Sequence, residues 1–232
     1  MKLPSLVQRI LGRSAEASGK SRPNIEPHVA KPVPANFMVV LRESPGISLA
    51  ELSFQPLEYE LQAALSPNDS QPEEDLAWYH FLGDIHLRFV YYDKDCVVPI
   101  TRANFEAHEL SVEQALDIAV DNIRTQYGAP RYRQWSQGIQ IVQGESSDID
   151  SSYLFDDLFW EELDGQYPQG LVVAVPKRGG LLFASAANKP AVELLTQNVT
   201  YLHSTSAEMR ISGALYARNQ GRWSMLQEAQ DG

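Results

Sequence analysis

Apolar residues recur along this chain with two spacings, and an element should end where one spacing gives way to the other. Phe37, Met38, Val39, Val40 and Leu41 form an unbroken apolar run of the length of a buried strand. Residues 57–65 alternate apolar and polar, which suits a strand and also a short helix; they are read as a strand. Residues 66–75 are polar and rich in turn formers, which marks a loop. Strands are expected at 76–81 and 84–92, parted by Leu82 and Gly83 in the manner of a hairpin.

Helical spacing takes over at Ser111. Ser111 and Gln114, three apart, make a capping box that can satisfy two otherwise orphan amides. Ala115, Leu116, Ala119, Val120 and Ile123 then form one stripe, and Gly128 with Pro130 supplies the stop. A short strand at 138–143 precedes a helix expected from about residue 151 to 163, capped by Asp150 and carrying Leu154, Phe155, Leu158, Phe159 and Leu163. Strands at 171–175 and 181–185 are joined through Gly179 and Gly180, which allow a tight turn. Asn188 caps a last helix with Pro190 in its first turn, and strands at 211–218 and 222–226 close the chain.

From residue 138 the order is β-α-β-β-α-β-β. Hairpins mixed with helices predict an α+β fold, a mixed or antiparallel sheet with helices packed on one face. Three parts follow: a basic segment and linker at 1–34, an α+β part at 35–135 and another at 136–228, the last two able to form one domain. Residues 3–11 place Leu3, Leu6, Val7, Ile10 and Leu11 at helical spacing, a pattern suited to a docking helix, and four prolines between 23 and 34 mark the linker.

The stretch Asp148-Ile149-Asp150-Ser151-Ser152-Tyr153-Leu154, the run Leu171-Val172-Val173-Ala174-Val175-Pro176-Lys177-Arg178 leading into Leu181-Leu182-Phe183, and Gly213-Ala214-Leu215-Tyr216 carry a family likeness. Over residues 84–226 the chain resembles the YtpQ family of bacterial proteins, a domain of unknown function. The resemblance implies the fold and brings no mechanism with it.

Charge changes the picture more than composition does. The formal charge is −11, but residues 1–31 hold six basic side chains against two acidic ones, which leaves the remaining body at −15. Nucleic-acid affinity rests on Lys and Arg neutralising phosphates, so such a body argues against DNA or RNA and favours a basic protein partner. No window reaches the roughly 18–20 consecutive apolar residues that span a bilayer. The lone Cys96 cannot form an internal disulfide, and a cytoplasmic location is expected.

Residues 145–164 hold eight carboxylates and no Lys or Arg. Asp156, Asp157, Trp160, Glu161, Glu162 and Asp164 are therefore read as a recognition surface, with carboxylates attracting a basic partner and the indole as anchor. An immunity protein neutralising a basic toxin is its concrete form. The competing reading is a hydrolytic or small-molecule-binding enzyme with Asp148, Asp150, Ser152 and Arg178 around one pocket. A third is an adaptor docking through its basic N-terminal segment. His80, His86 and His108 lack metal-ligand spacing, even with Asp84 nearby, and no cofactor, metal or catalytic set is expected.

Overall fold

The capping box forms as its spacing requires. Gln114 N–H donates to Ser111 Oγ while Ser111 N–H donates to Gln114 Oε1, and the helix they open runs Val112–Tyr127. The computed structural model describes residues 31–66, 75–93 and 96–229. Two antiparallel open sheets hold the chain together. Among the described residues no helix is long and apolar enough to cross a membrane. The amphipathic pattern at 3–11 and most of the expected linker lie outside the described residues. Lys31 already belongs to the fold, its N–H donating to Ala107 O.

The first sheet is built on β3 (Ile85–Asp93). On one edge it pairs with β1 (Phe37–Glu43); along the other it pairs with β2 (Trp78–His80) and then β4 (Cys96–Pro99). The helix α1 (Tyr59–Ala64) lies between β1 and β2 in the chain, and α2 (Arg102–Glu106) and α3 (Val112–Tyr127) follow β4. Residues 57–65, expected as a strand, contain the helix α1 instead. Leu57, Leu61 and Leu65 repeat every four residues and meet Leu76 and Trp78. Between them the buried Gln62 donates to Leu57 O at 2.9 Å and accepts from Leu76 N at 2.8 Å. Alternation over so few residues suits either element, and this packing decides it.

The second sheet runs β10-β9-β7-β8-β6-β5, with β5 (Arg131–Ser136), β6 (Ile139–Gln143), β7 (Leu171–Ala174), β8 (Leu182–Ser185), β9 (Leu215–Asn219) and β10 (Arg222–Gln227). β5 escaped the sequence reading because its RYRQWS is polar, as an edge strand often is. The helix α5 (Lys189–Ser204) packs Ala191, Leu195 and Val199 on Val172, Ala174, Leu182 and Ala184, which alternate outward on one face. Leu171, Val173, Phe183 and Tyr216 point to the other face, into a core shared with Phe37 and Phe89 of the first sheet. Burial on both faces explains the unbroken Leu-Val-Val-Ala run.

The helix expected at 151–163 is two pieces. A 3₁₀ turn, Asp150–Phe155, ends at Asp156, whose φ of −83° and ψ of 84° break the spiral before α4 (Asp157–Gln166) begins. Asp150 does not cap it. Its Oδ1 accepts Gly144 N–H at 2.6 Å, and Asp156 is the cap, accepting Phe159 N–H at 3.0 Å.

Candidate functional site

The carboxylate run of residues 145–164 divides once folded. Asp156 is buried and held by Arg124, with Nε and Nη2 at 2.6 and 3.0 Å from its two oxygens, and the close match raises the Arg124 pKa. Asp164 turns inward, accepting from Arg218 Nε at 3.2 Å and Gly221 N–H at 3.1 Å. Trp160 has no exposed surface; its Nε1–H donates to Tyr153 O. The expectation that these three face a partner is therefore corrected. Arg124 and Arg218 lie far away in sequence, so nothing within the run shows that Asp156 and Asp164 are neutralised, or that Arg218 Nη1 also stands 3.5 Å from Asp157 Oδ1. Asp157, Glu161 and Glu162 do stay exposed, beside Leu158 at 64%.

Beside Asp157 opens an apolar groove of about 250 Å³. Its walls include Phe54, Phe81, Phe155 and Trp223, and its rim carries Glu113, Asp117 and Asp157. The rings brace one another: Phe81 and Phe155 meet edge to face at 4.9 Å, and Trp223 meets the buried Trp160 at 5.2 Å. The surface indole of this region is thus Trp223, with Trp160 as its support. At the rim like charges crowd. Partial burial, then Asp157, then Asp121 push the Asp117 carboxyl up.

Of Asp148, Asp150, Ser152 and Arg178, the middle two are committed to internal hydrogen bonds. Ser152 Oγ donates to Val39 O at 2.7 Å and Asp150 is engaged by Gly144, both buried. Burial raises the Asp150 pKa, opposed by the Gly144 bond and reinforced by Asp148. Asp148 is exposed, and it and Arg178 act on the hydroxyl of Tyr92. Ser152 and Asp150 therefore serve as internal fasteners between β1, the 3₁₀ turn and the strand end at Gly144.

A second opening, about 590 Å³, lies between the two sheets. The first sheet contributes Glu43, the last residue of β1, and Asp84, just before β3. The strand register sets Glu43 opposite Ile85, and Ser44 N–H donates to Asp84 O at 2.6 Å. His203, in the last turn of α5, reaches across so that its Nε2 stands 2.9 Å from Glu43 Oε1. Arg210 Nε is 3.6 Å from Glu43 Oε2. One ligand atom each of Glu43, Asp84 and His203 lies within 4.8 Å of the others.

Asp84 is the most firmly held of the three. Its Oδ1 accepts from Ser212 Oγ at 2.5 Å and Tyr216 Oη at 3.0 Å, and its Oδ2 accepts Gly213 N–H at 3.2 Å. Burial pushes its pKa up, while these three bonds pull it down. Burial and then the Asp84 charge drive the Tyr216 phenol well above its ordinary range, so Tyr216 remains a donor. Gly83 makes this approach possible: its φ is +60°, and a β-carbon there would stand 2.8 Å from the Tyr216 oxygen.

Behind the cleft runs a buried polar chain. Arg88 Nε donates to His86 Nε2 at 2.8 Å, which leaves Nδ1–H of His86 to donate to Ser44 Oγ at 2.8 Å. Arg88 lies 3.4 Å above the Trp78 ring, and burial plus Arg42 lowers its pKa to about 9. Burial, Arg88, Arg42 and His80 hold His86 well below the usual imidazole range. His86 and His108 do not join Asp84; His108 instead faces Lys31 O and Tyr91. Spacing along the chain sets Asp84 beside His80 and His86 alone, whereas Glu43 and His203 are 160 residues apart, and no local spacing links them.

Comparison with family models, with curated proteins and with solved structures finds no match to this chain.

Proposed function

We propose that this is a non-enzymatic cytosolic binding module whose acidic-rimmed groove receives a basic, apolar-anchored segment of a partner protein, with neutralisation of a basic toxin as the concrete form. The observation that carries the reading is the groove itself: aromatic walls from Phe54, Phe81, Phe155 and Trp223 beneath the carboxylates of Glu113, Asp117 and Asp157. Apolar contact inside with charge at the rim is the usual anatomy of a recognition surface. A cation brought against Asp117 relieves the repulsion from Asp157 and Asp121, which a neutral or acidic segment cannot do. The resemblance to the YtpQ family adds no mechanism, since that family has no established activity.

The test uses two probes, a helical leucine–lysine peptide and its leucine–glutamate counterpart, with calorimetry and tryptophan fluorescence as readouts. The lysine peptide should bind and perturb Trp223, and added salt should slow its association. Asp117→Lys with Asp157→Lys should weaken it about tenfold or more, equivalent to ~1.4 kcal/mol. Glu193→Lys with Glu208→Lys, the same charge change at exposed positions elsewhere, should leave it within about twofold. Equal binding of both peptides, or equal effects of both reversals, would end the proposal.

A further inference from the structure

We infer that Glu43, Asp84 and His203 form a divalent-cation site of the zinc or manganese class, open toward the cleft between the sheets. The inference is independent of the acidic groove, which lies elsewhere and uses other residues. Its ground is a donor set that the first sheet and the end of α5 bring together. Donor atoms around one ion at about 2.0–2.2 Å stand roughly 3–4.5 Å apart. The mutual 4.8 Å envelope of the three side chains, and the 2.9 Å between His203 and Glu43, lie within small side-chain rotations of that arrangement.

The chemistry of the donors narrows the ion. Two carboxylates suit hard cations such as magnesium, calcium and manganese, whereas an imidazole suits zinc, copper, iron and nickel. One imidazole with two carboxylates sits between these groups, where zinc and manganese bind. Structural zinc sites close their shell with four protein ligands; three ligands leave a position free. Here that position faces a cleft of about 590 Å³.

A second feature, outside the donor set, supports the assignment. Ligating carboxylates are characteristically fixed by outer hydrogen bonds. Ser212, Tyr216 and Gly213 supply three to Asp84 and anchor it from the side of the second sheet. Glu43 is fixed differently, by the end of β1 and by Arg210. Arg210 also sets a positive group beside the open position, so a small anion is the natural further ligand of the bound cation.

Untagged, chelator-treated full-length protein is titrated with Zn²⁺, Mn²⁺, Mg²⁺ and Ca²⁺ by calorimetry. The expected result is one equivalent of Zn²⁺ or Mn²⁺ per chain, at least tenfold tighter than Mg²⁺ or Ca²⁺. His203→Gln and Glu43→Gln should each weaken it tenfold or more, Tyr216→Phe by less, and Glu60→Lys with Glu193→Lys, both at exposed positions outside the site, not at all. Several weak equivalents untouched by His203→Gln would show diffuse binding to an acidic surface and overturn the site. Should those variants fail to fold, pulsed electron paramagnetic resonance of Mn²⁺ on the unaltered protein decides. Coupling to one imidazole nitrogen supports the site, and an all-oxygen shell overturns it.

Discussion

The groove beside α4 and the cleft between the sheets are both acidic, yet their carboxylates live under opposite conditions. At the groove Asp157 and Asp121 repel Asp117 near solvent, and Arg218 stands 3.5 Å from Asp157. At the cleft Asp84 is buried and answered by two hydroxyls and an amide, and Glu43 meets His203. Net charge therefore says little about what a carboxylate can do. Whether a donor or cation has been carried to it by the fold decides whether it is a fastener, a ligand or a free surface charge.

The sharpest way to break the comparison is at Trp160, where sequence reading and structure part. Trp160→Ala should destabilise the fold by about 3–5 kcal/mol through cavity formation, while Leu158→Ala, on the exposed face of the same helix, should stay within about 0.5 kcal/mol. Urea denaturation of the two variants measures this, and similar small shifts for both would return Trp160 to the surface. Next, Asp156→Ala removes a cap and strands part of the Arg124 charge, with an expected cost of about 2–4 kcal/mol. Its neighbour Asp157→Ala should again cost under about 0.5 kcal/mol. A double-mutant cycle with Arg124→Ala should show coupling for Asp156 alone.

Acid should act on the two regions with opposite sign. His86 is held neutral in the fold by its burial, Arg88, Arg42 and His80, with its pKa well below 6.5. The unfolded chain therefore binds its proton first. Stability is unaffected by this group above pH 6.5 and falls as pH drops from there toward the depressed folded value, by at most about 1.4 kcal/mol per pH unit. His86→Gln should flatten the urea midpoint between pH 6.5 and 5.5, with wild type as reference. An unchanged slope would remove His86 as the source. The smallest effect belongs to Asp117, whose raised pKa means that its proton favours the folded state. Asp117→Asn should stabilise the protein at pH 7 by about 0.3 kcal/mol, the scale of one like-charge pair on a helix. That gain should shrink as pH falls and Asp117 itself becomes protonated; thermal melts at pH 7 and pH 4 test both statements.

Much of the fold was legible in the chain. The Ser111–Gln114 box and the Asn188 cap with Pro190 after it appear where spacing placed them, and the elements after residue 138 keep the expected order, although the helix at 151–163 is divided and the strand expected at 211–218 runs Leu215–Asn219. These signals are local, since caps and stripes act within a turn or two. Beyond the polar edge strand β5, two differences share one cause. α1 was mistaken for a strand because Leu76 and Trp78, which select its four-residue repeat, come after an intervening loop. Asp150 was given the capping role of Asp156 because the pull of Gly144 on one and of Arg124 on the other is tertiary.

By itself the sequence determined the caps at Ser111 and Asn188, the order of the elements after residue 138, the acidic body and the absence of any local catalytic motif, because each depends on composition or on neighbours within a few residues. Only the tertiary structure decided which acids are spent on Arg124 and Arg218, which indole reaches the surface, and that Glu43, Asp84 and His203 meet. Electrostatic and hydrogen-bonding partners are chosen by proximity in space, and the closing of two sheets onto one core brings together residues that no spacing along the chain could pair.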